Sequence, residues 1–384
     1  MAYMTRLDQL RSLKPDEAMQ LQEVSRVFPF RASEYYCSLI NWDDPADPIR
    51  RIIVPSPEEL GPGGVLDASR EYDYTRLPGL QHKYRETALL LMNDICGGFC
   101  RFCFRKRLFI NDGDEVSRDV SAGLDYISRH PEITNVLLTG GDPLLVSTRK
   151  LEEIMAAIRD IDHVRIIRLG TKMPAFNPSR IYDDPELLEA LRKHSSVKRR
   201  IYMVLHFNHP REITPESLRA IRMLQEAGTI TVAQTPILRG INDDSDTLAH
   251  LFKALSFCGV SPYYVFQCRP AVGNGPFQVP LEEAYLIFEQ ARSRCSGLAK
   301  RARFVMSHAS GKIEVSGLTK DRIYFKYLQA ARLEDIGMFL AFRRRPDACW
   351  FDDYARPAES CRVGDVVPEP CSVDGMAIAD RGGC

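Results

Sequence analysis

The chain has 384 residues, enough to bury a sizeable core and to build one large α/β domain with extensions. Lysine plus arginine and aspartate plus glutamate each number 51, so no global charge argues for nucleic acid or an anionic membrane surface. No apolar run approaches the roughly 18–20 residues of a membrane span, and the charged start MAYMTRLDQLRSLKPDEAMQ does not read as a secretory leader, so a cytoplasmic location is expected.

Residues 1–80 read as a polar, partly helical extension with turn signals at NWDDPADP and SPEELGPGG. Within it, IRRIIVP predicts a strand. Over 81–300 short apolar runs recur at TALLLMN, NVLLTGG, VRIIRLGT, RIYMVLHF, ITVAQTPIL and PYYVFQC. Helical patterns separate them. In STRKLEEIMAAIRDI, Leu151, Ile154, Met155 and Ile158 share a face and Ser147 is the expected N-cap. The runs are apolar throughout instead of alternating, which predicts a parallel sheet covered by helices, either a full or partial barrel or a doubly wound sheet. A strand pair, RFVMSHASGKIEV, opens the segment 301–345, and the Pro/Gly/Asp-rich stretch 346–384 predicts an irregular or disordered tail.

In such architectures ligands bind at the C-terminal ends of the strands. The polar and glycine-rich segments fall there: NDICGGFC, TGGDPL, LGTKMP, HFNHP, LRGIND and QCRPAVGNG. Cys96, Cys100 and Cys103 are three of eleven cysteines, spaced C-x3-C-x2-C just after the first run. A reducing compartment makes such a cluster metal-binding or catalytic more often than disulfide-forming. Structural zinc takes four ligands, commonly from paired C-x2-C motifs, and the other eight cysteines are scattered singly. Three thiolates on one loop suit a [4Fe–4S] cluster with one iron left open.

The stretch CGGFCRFC resembles the CxxxCxxC loop of radical S-adenosylmethionine (SAM) enzymes. The resemblance implies a partial (β/α)6 barrel with an N-terminal helical extension. It also implies that the open iron holds SAM, whose one-electron cleavage yields a 5′-deoxyadenosyl radical. Gly140, Gly141 and Asp142 match the family's glycine-rich element for the SAM amino group, and His206 and Gln234 are expected to reach SAM or a second cofactor from the same face.

PGLQHKYRETALLLMNDICGGFCRFCFRKR, LTGGDPLL, HFNHPREIT, LRGIND and YYVFQC together are similar to the lysine 2,3-aminomutase group, over roughly residues 25–330. That likeness implies a second cofactor, pyridoxal 5′-phosphate (PLP), carried as a Schiff base by Lys312 in the C-terminal segment. Lys83 and Tyr84 match its phosphate anchor. The chain departs at Thr87, where the group has a second arginine, so the anchor is either weaker or completed by Arg85. Arg105 matches the arginine that pairs with the substrate α-carboxylate, a geometrically demanding fork.

At the far end of the substrate the lysine enzyme places two aspartates, and this chain has Arg269 and Ser307. Repulsion between Arg269 and a lysine ammonium ~4 Å away is about 4 kcal/mol at an effective dielectric near ~20, roughly a thousandfold in affinity. Glutamate or aspartate is the expected kind of substrate. The resemblance also implies an electron donor such as flavodoxin or ferredoxin. The lysine enzyme's subunit-bridging zinc is not supported, because Asp243 and Asp244 stand at its core position. A homo-oligomer stays open. The competing expectations are another radical SAM/PLP reaction (elimination, decarboxylation or oxidation) or a protein-modifying or electron-transfer iron–sulfur protein without PLP.

Overall fold

The computed structural model describes residues 2–110 and 115–365. A hairpin of β1 (Thr75–Leu77) and β2 (Leu80–Tyr84) runs antiparallel into β3 (Thr87–Asn93). From β3 a parallel series follows: β4 (Asn135–Gly140), β5 (Ile166–Thr171), β6 (Ile201–His206), β7 (Ile230–Ile237), β8 (Ser261–Gln267) and β9 (Arg303–His308). Antiparallel strands β10 (Gly311–Leu318), β11 (Arg322–Ala330), β12 (Phe339–Arg343) and β13 (Glu359–Cys361) complete one 13-stranded sheet in strict chain order. The six apolar runs of the sequence are β3 to β8.

Helices make the parallel connections, as parallel pairing requires. Between β4 and β5 the helix Thr148–Arg159 buries Leu151, Ile154, Met155 and Ile158, and the Ser147 hydroxyl accepts from Lys150 N at 3.4 Å. The connecting helices Pro185–His194, Pro215–Glu226 and Ser245–Phe257 start on Asp184, Thr214 and Asp244, each capping a backbone N–H with its side chain.

Uniform burial holds for β3 and nearly for β6, whereas β5 and β7 alternate strictly. In β7, Thr231, Ala233, Thr235 and Ile237 are buried, while Gln234 and Pro236 line a central cavity. The sheet curls around that cavity, so one face packs on helices and the other faces ligand space. Two of its strands meet through a side chain: Lys83 Nζ on β2 donates to the His308 carbonyl on β9. Among the described residues no strand pairing closes the ring.

IRRIIVP is not a strand. Pro48–Ile53 is a helix, started by the Asp47 carboxylate accepting from Arg50 N at 2.9 Å and by Pro48 in its first turn. Ile49, Ile52 and Ile53 share a helical face and are fully buried in the core that runs from the N-terminal extension into the barrel. Where the sequence predicts an irregular tail, the described part packs: Tyr354 lies 5.3 Å from Phe325 and 5.6 Å from Phe342 between ring centroids, and β13 pairs with β12. The rest of that stretch, 366–384, lies outside the described residues. No helix among the described residues is long and apolar enough to cross a membrane.

Candidate active site

The strands open onto one cavity of about 360 Å³. Cys96, Cys100, Cys103, Gly141, Asp142, His206 and Gln234 line it from one side. Lys83, Tyr84, Arg105, Arg269, Ser307 and Lys312 line the same cavity. Gly140 sits just behind the wall at φ 111°, where a Cβ would stand 2.4 Å from the Asn93 carbonyl oxygen. Arg85, expected to complete an anchor, is exposed and outside the lining.

The cysteine loop follows β3 and is held by the N-terminal extension. Arg31 Nε donates to the Cys96 carbonyl at 2.7 Å, Phe99 N to the Arg31 carbonyl at 2.9 Å, and Arg101 N to the Ile52 carbonyl at 2.9 Å. Arg101 lies in a buried ion pair with Glu59, its Nε 2.9 and 3.0 Å from the two carboxylate oxygens. Gly98 allows the close packing, because a Cβ there would meet Ile53 Cδ1 at 2.8 Å. The three thiols are free; burial first, then Asp142 and the neighbouring cysteines, raises the pKa of Cys96, and burial, against the opposing charge of Lys172, raises that of Cys100 to about 12. Metal binding removes such protons outright. No three Cys, His, Asp or Glu side chains among the described residues converge on one ion. Three free thiols on one loop, all lining the cavity, are a donor set that fits a [4Fe–4S] cluster with one iron left open.

Beside the cysteines, β4 ends in a tight turn, with Gly141 N bonded to the Asn93 carbonyl at 2.6 Å and Asp142 N to the Ile95 carbonyl at 2.8 Å. The Asp142 carboxylate accepts from Thr171 Oγ1 and Lys172 N, both at 2.8 Å, and from Leu144 N at 3.0 Å. Its side chain therefore braces the turn, and burial pushes its pKa up to about 6. Lys172 Nζ is itself held by Glu212 at 2.6 Å and Asn208 at 2.7 Å. Burial and Lys172 keep His206 well below the usual histidine range, hence neutral.

On the opposite wall, Lys312 pairs in register with Ser307 across the β9–β10 turn and places Nζ 4.1 Å from the Tyr264 ring centroid. Burial, then Arg168, Arg269 and Lys83, lowers its pKa to about 7. Lys83 is lowered to about 8, by burial and then Arg269. Arg168 is the unexpected member. Its Nη2 donates to Thr87 Oγ1 at 3.3 Å and its buried Nε has no partner among the described residues. A charged residue inside the apolar run VRIIRLGT was the available signal for it.

Arg105 does not stand free. Its Nε and Nη2 donate to Glu71 at 3.0 and 2.9 Å and its Nη1 to Thr139 Oγ1 at 3.1 Å. Glu71, on a strap before β1 with no motif to mark it, also accepts from Arg107 Nη2 at 2.6 Å. Arg269 stacks its guanidinium 3.5 Å from the Phe104 ring centroid, and its buried Nη1 has no partner among the described residues. Burial lowers its pKa to about 10, which still leaves it charged. Glu71 and Asp142 are the acidic residues of the lining, and both carboxylates are engaged.

Over residues 90–252 the chain matches the Radical SAM superfamily. It is 54% identical over 353 residues to an Aquifex aeolicus protein named "Putative L-lysine 2,3-aminomutase", covering 92% of this chain and 94% of that one. With the L-lysine 2,3-aminomutase of Fusobacterium nucleatum it shares 39% over 268 residues, 69% of this chain and 62% of the relative. With the glutamate 2,3-aminomutase of Clostridioides difficile it shares 34% over 296 residues, 76% and 68% of the two chains.

Proposed function

The chain belongs to the lysine 2,3-aminomutase family of radical SAM enzymes, and from that premise we propose that it moves the amino group of a free amino acid with an acidic or polar side chain, such as glutamate or aspartate, from C2 to C3. The observation that carries the substrate class is Arg269: a charged, partly buried guanidinium in the lining of a cavity whose carboxylates are engaged. An ammonium-bearing side chain meets a cation there and finds no free acceptor among the lining acids, whereas a carboxylate meets a guanidinium of opposite charge.

The cofactors are a [4Fe–4S] cluster, SAM and PLP: together they supply a carbon-centred radical and a C=N bond across which the amine migrates. Cys96, Cys100 and Cys103 would hold the cluster, and the backbone at Gly140 and Gly141, with His206 and Gln234, would bound the SAM space, Asp142 bracing that turn. Lys312 would hold PLP, with Lys83 and Tyr84 toward its phosphate. Its lowered pKa leaves about half of Lys312 unprotonated near neutrality, the state in which an amine attacks a carbonyl. Arg105 offers its remaining N–H groups to the α-carboxylate, and Ser307 and Arg269 face the side-chain end. The free thiols suit a cytoplasmic location with a flavodoxin- or ferredoxin-type donor reducing the cluster.

The test is anaerobic reconstitution followed by an amino-acid panel. Wild type is expected to turn over glutamate or aspartate, and lysine at least ~100-fold less efficiently. Arg269→Asp is expected to shift the preference toward cationic substrates. Faster turnover of lysine by wild type, or unchanged selectivity in Arg269→Asp, removes Arg269 from the argument. Lys312→Ala is expected to abolish the visible absorbance of bound PLP.

A further inference from the structure

The strap before β1 crosses the cavity mouth and is sewn to two of its walls. Val65 N donates to the Pro270 carbonyl at 3.0 Å and Val272 N to the Val65 carbonyl at 3.3 Å, next to Arg269. Ser69 Oγ and Tyr74 OH donate to the carbonyls of Ser307 and Ala309 at 2.8 and 2.7 Å, on the turn that leads to Lys312. Between these anchors Arg70 adopts φ 49°, the one left-handed non-glycine among the described residues. Such backbone is disfavoured for a residue with a side chain and persists where its surroundings impose it. Here it turns the chain into the short 3-10 helix Glu71–Tyr74, whose first residue lines the cavity.

Arginine has five N–H donors. Glu71 takes Nε–H and one Nη2–H of Arg105, and Thr139 takes one Nη1–H, which leaves one hydrogen on each terminal nitrogen. Glu71 is fixed from its other side by Arg107, which is locked in turn to Glu115 at 3.0 and 2.9 Å. Against the opposing effect of burial, Arg105 and Arg107 hold its carboxyl well below the usual range, so it stays ionised at any working pH.

We propose that Glu71 is a positioning residue for the substrate α-carboxylate: by occupying the Nε edge of Arg105 it fixes the guanidinium plane, so that the remaining hydrogens on the two terminal nitrogens receive that carboxylate. This rests on the role given to Arg105 above. Glu71 does not touch substrate. It sets the orientation of the group that does, and the strap ties that orientation to the walls carrying Arg269 and Lys312.

The test uses the full chain loaded with PLP and cluster, titrated with L-glutamate and with L-lysine, both of which carry an α-carboxylate. Binding is read from the change in cofactor absorbance, and turnover separately. Glu71→Gln is expected to weaken binding about ten- to a hundredfold, with iron and PLP content unchanged and kcat at saturation falling less than affinity. Arg105→Lys is expected to weaken binding comparably, and the double variant no more than Arg105→Lys alone, because Glu71 acts through Arg105. Glu71→Asp should recover part of the loss.

Additive losses in the double variant overturn the proposal. So does unchanged affinity in Glu71→Gln while Arg105→Lys is weakened, an outcome that leaves the role of Arg105 standing. Unchanged affinity in Arg105→Lys overturns both, as does a wild type that responds to neither amino acid. Loss of iron and PLP in both Glu71 variants makes Glu71 structural and also overturns it.

Discussion

Lys312 shares its cavity wall with Arg168, Arg269 and Lys83, and the crowding of cations sets its chemistry. Burial and those three neighbours bring its pKa to about 7, against about 10.4 for an unperturbed lysine. The neutral amine is the nucleophile, so capture of PLP by the cofactor-free protein should accelerate as pH rises through about 7 and level off above it. Arg269→Gln should move that midpoint upward, since a repelling charge is gone. Stopped-flow mixing with PLP across pH 6 to 9 reads both, and a rate still climbing tenfold per unit at pH 9 would contradict the lowered pKa. The same shift acts on stability. Between about 7 and about 10.4 the unfolded chain carries a proton on this lysine that the folded chain lacks, so this residue's contribution to stability rises with pH across that window.

The cysteine loop is short and glycine-containing, and its conformation comes from elements on either side of it. Glu59, at the end of the N-terminal extension, neutralises Arg101 in the middle of the loop, with 0% and 2% side-chain exposure for the two partners. Glu59→Ala strands a buried guanidinium and should cost about 3–5 kcal/mol, with iron per chain falling after reconstitution. Thermal unfolding and iron analysis decide it, and unchanged values in both would show the pair to be dispensable. At this scale the sequence was legible where one face of an element is apolar. The strands β3 to β8 and the face of Leu151, Ile154, Met155 and Ile158 were found because burial writes itself as a pattern. IRRIIVP misled because β-branched residues favour strands, although Ile49, Ile52 and Ile53 already carried helical spacing and Asp47–Pro48 a helix start. Glu71 left no trace, because its meaning depends on Arg105, 34 residues later, folding against it.

Thirteen strands in chain order place every neighbour in the sheet next to its neighbour in sequence, and the strap and Lys83 link the β1–β2 end to β9 and the turn after it. The residues proposed to hold the cofactors line one cavity because strand ends converge on one face whatever the loops between them do. The substrate end was less legible in the sequence, since it is built from a strap, a loop and a hairpin turn. The N-terminal extension shares one hydrophobic core with the barrel. A chain beginning at Gly61 should therefore lose most of its iron on reconstitution and bind hydrophobic dyes, and normal iron content in that truncated chain would refute the bracing role given to Arg31, Ile52 and Glu59.

That brace has a direction in time. Arg31, Ile52 and Glu59 are translated before Cys96, Cys100 and Cys103, so the cysteines leave the ribosome behind the segment that shapes them. Lys312 follows some 200 residues later, on the order of ten to forty seconds at usual elongation rates. Under the roles proposed for these residues the cysteines are made well before the lysine that would hold PLP, and nascent chains arrested between Cys103 and Lys312 are where an early iron load can be read.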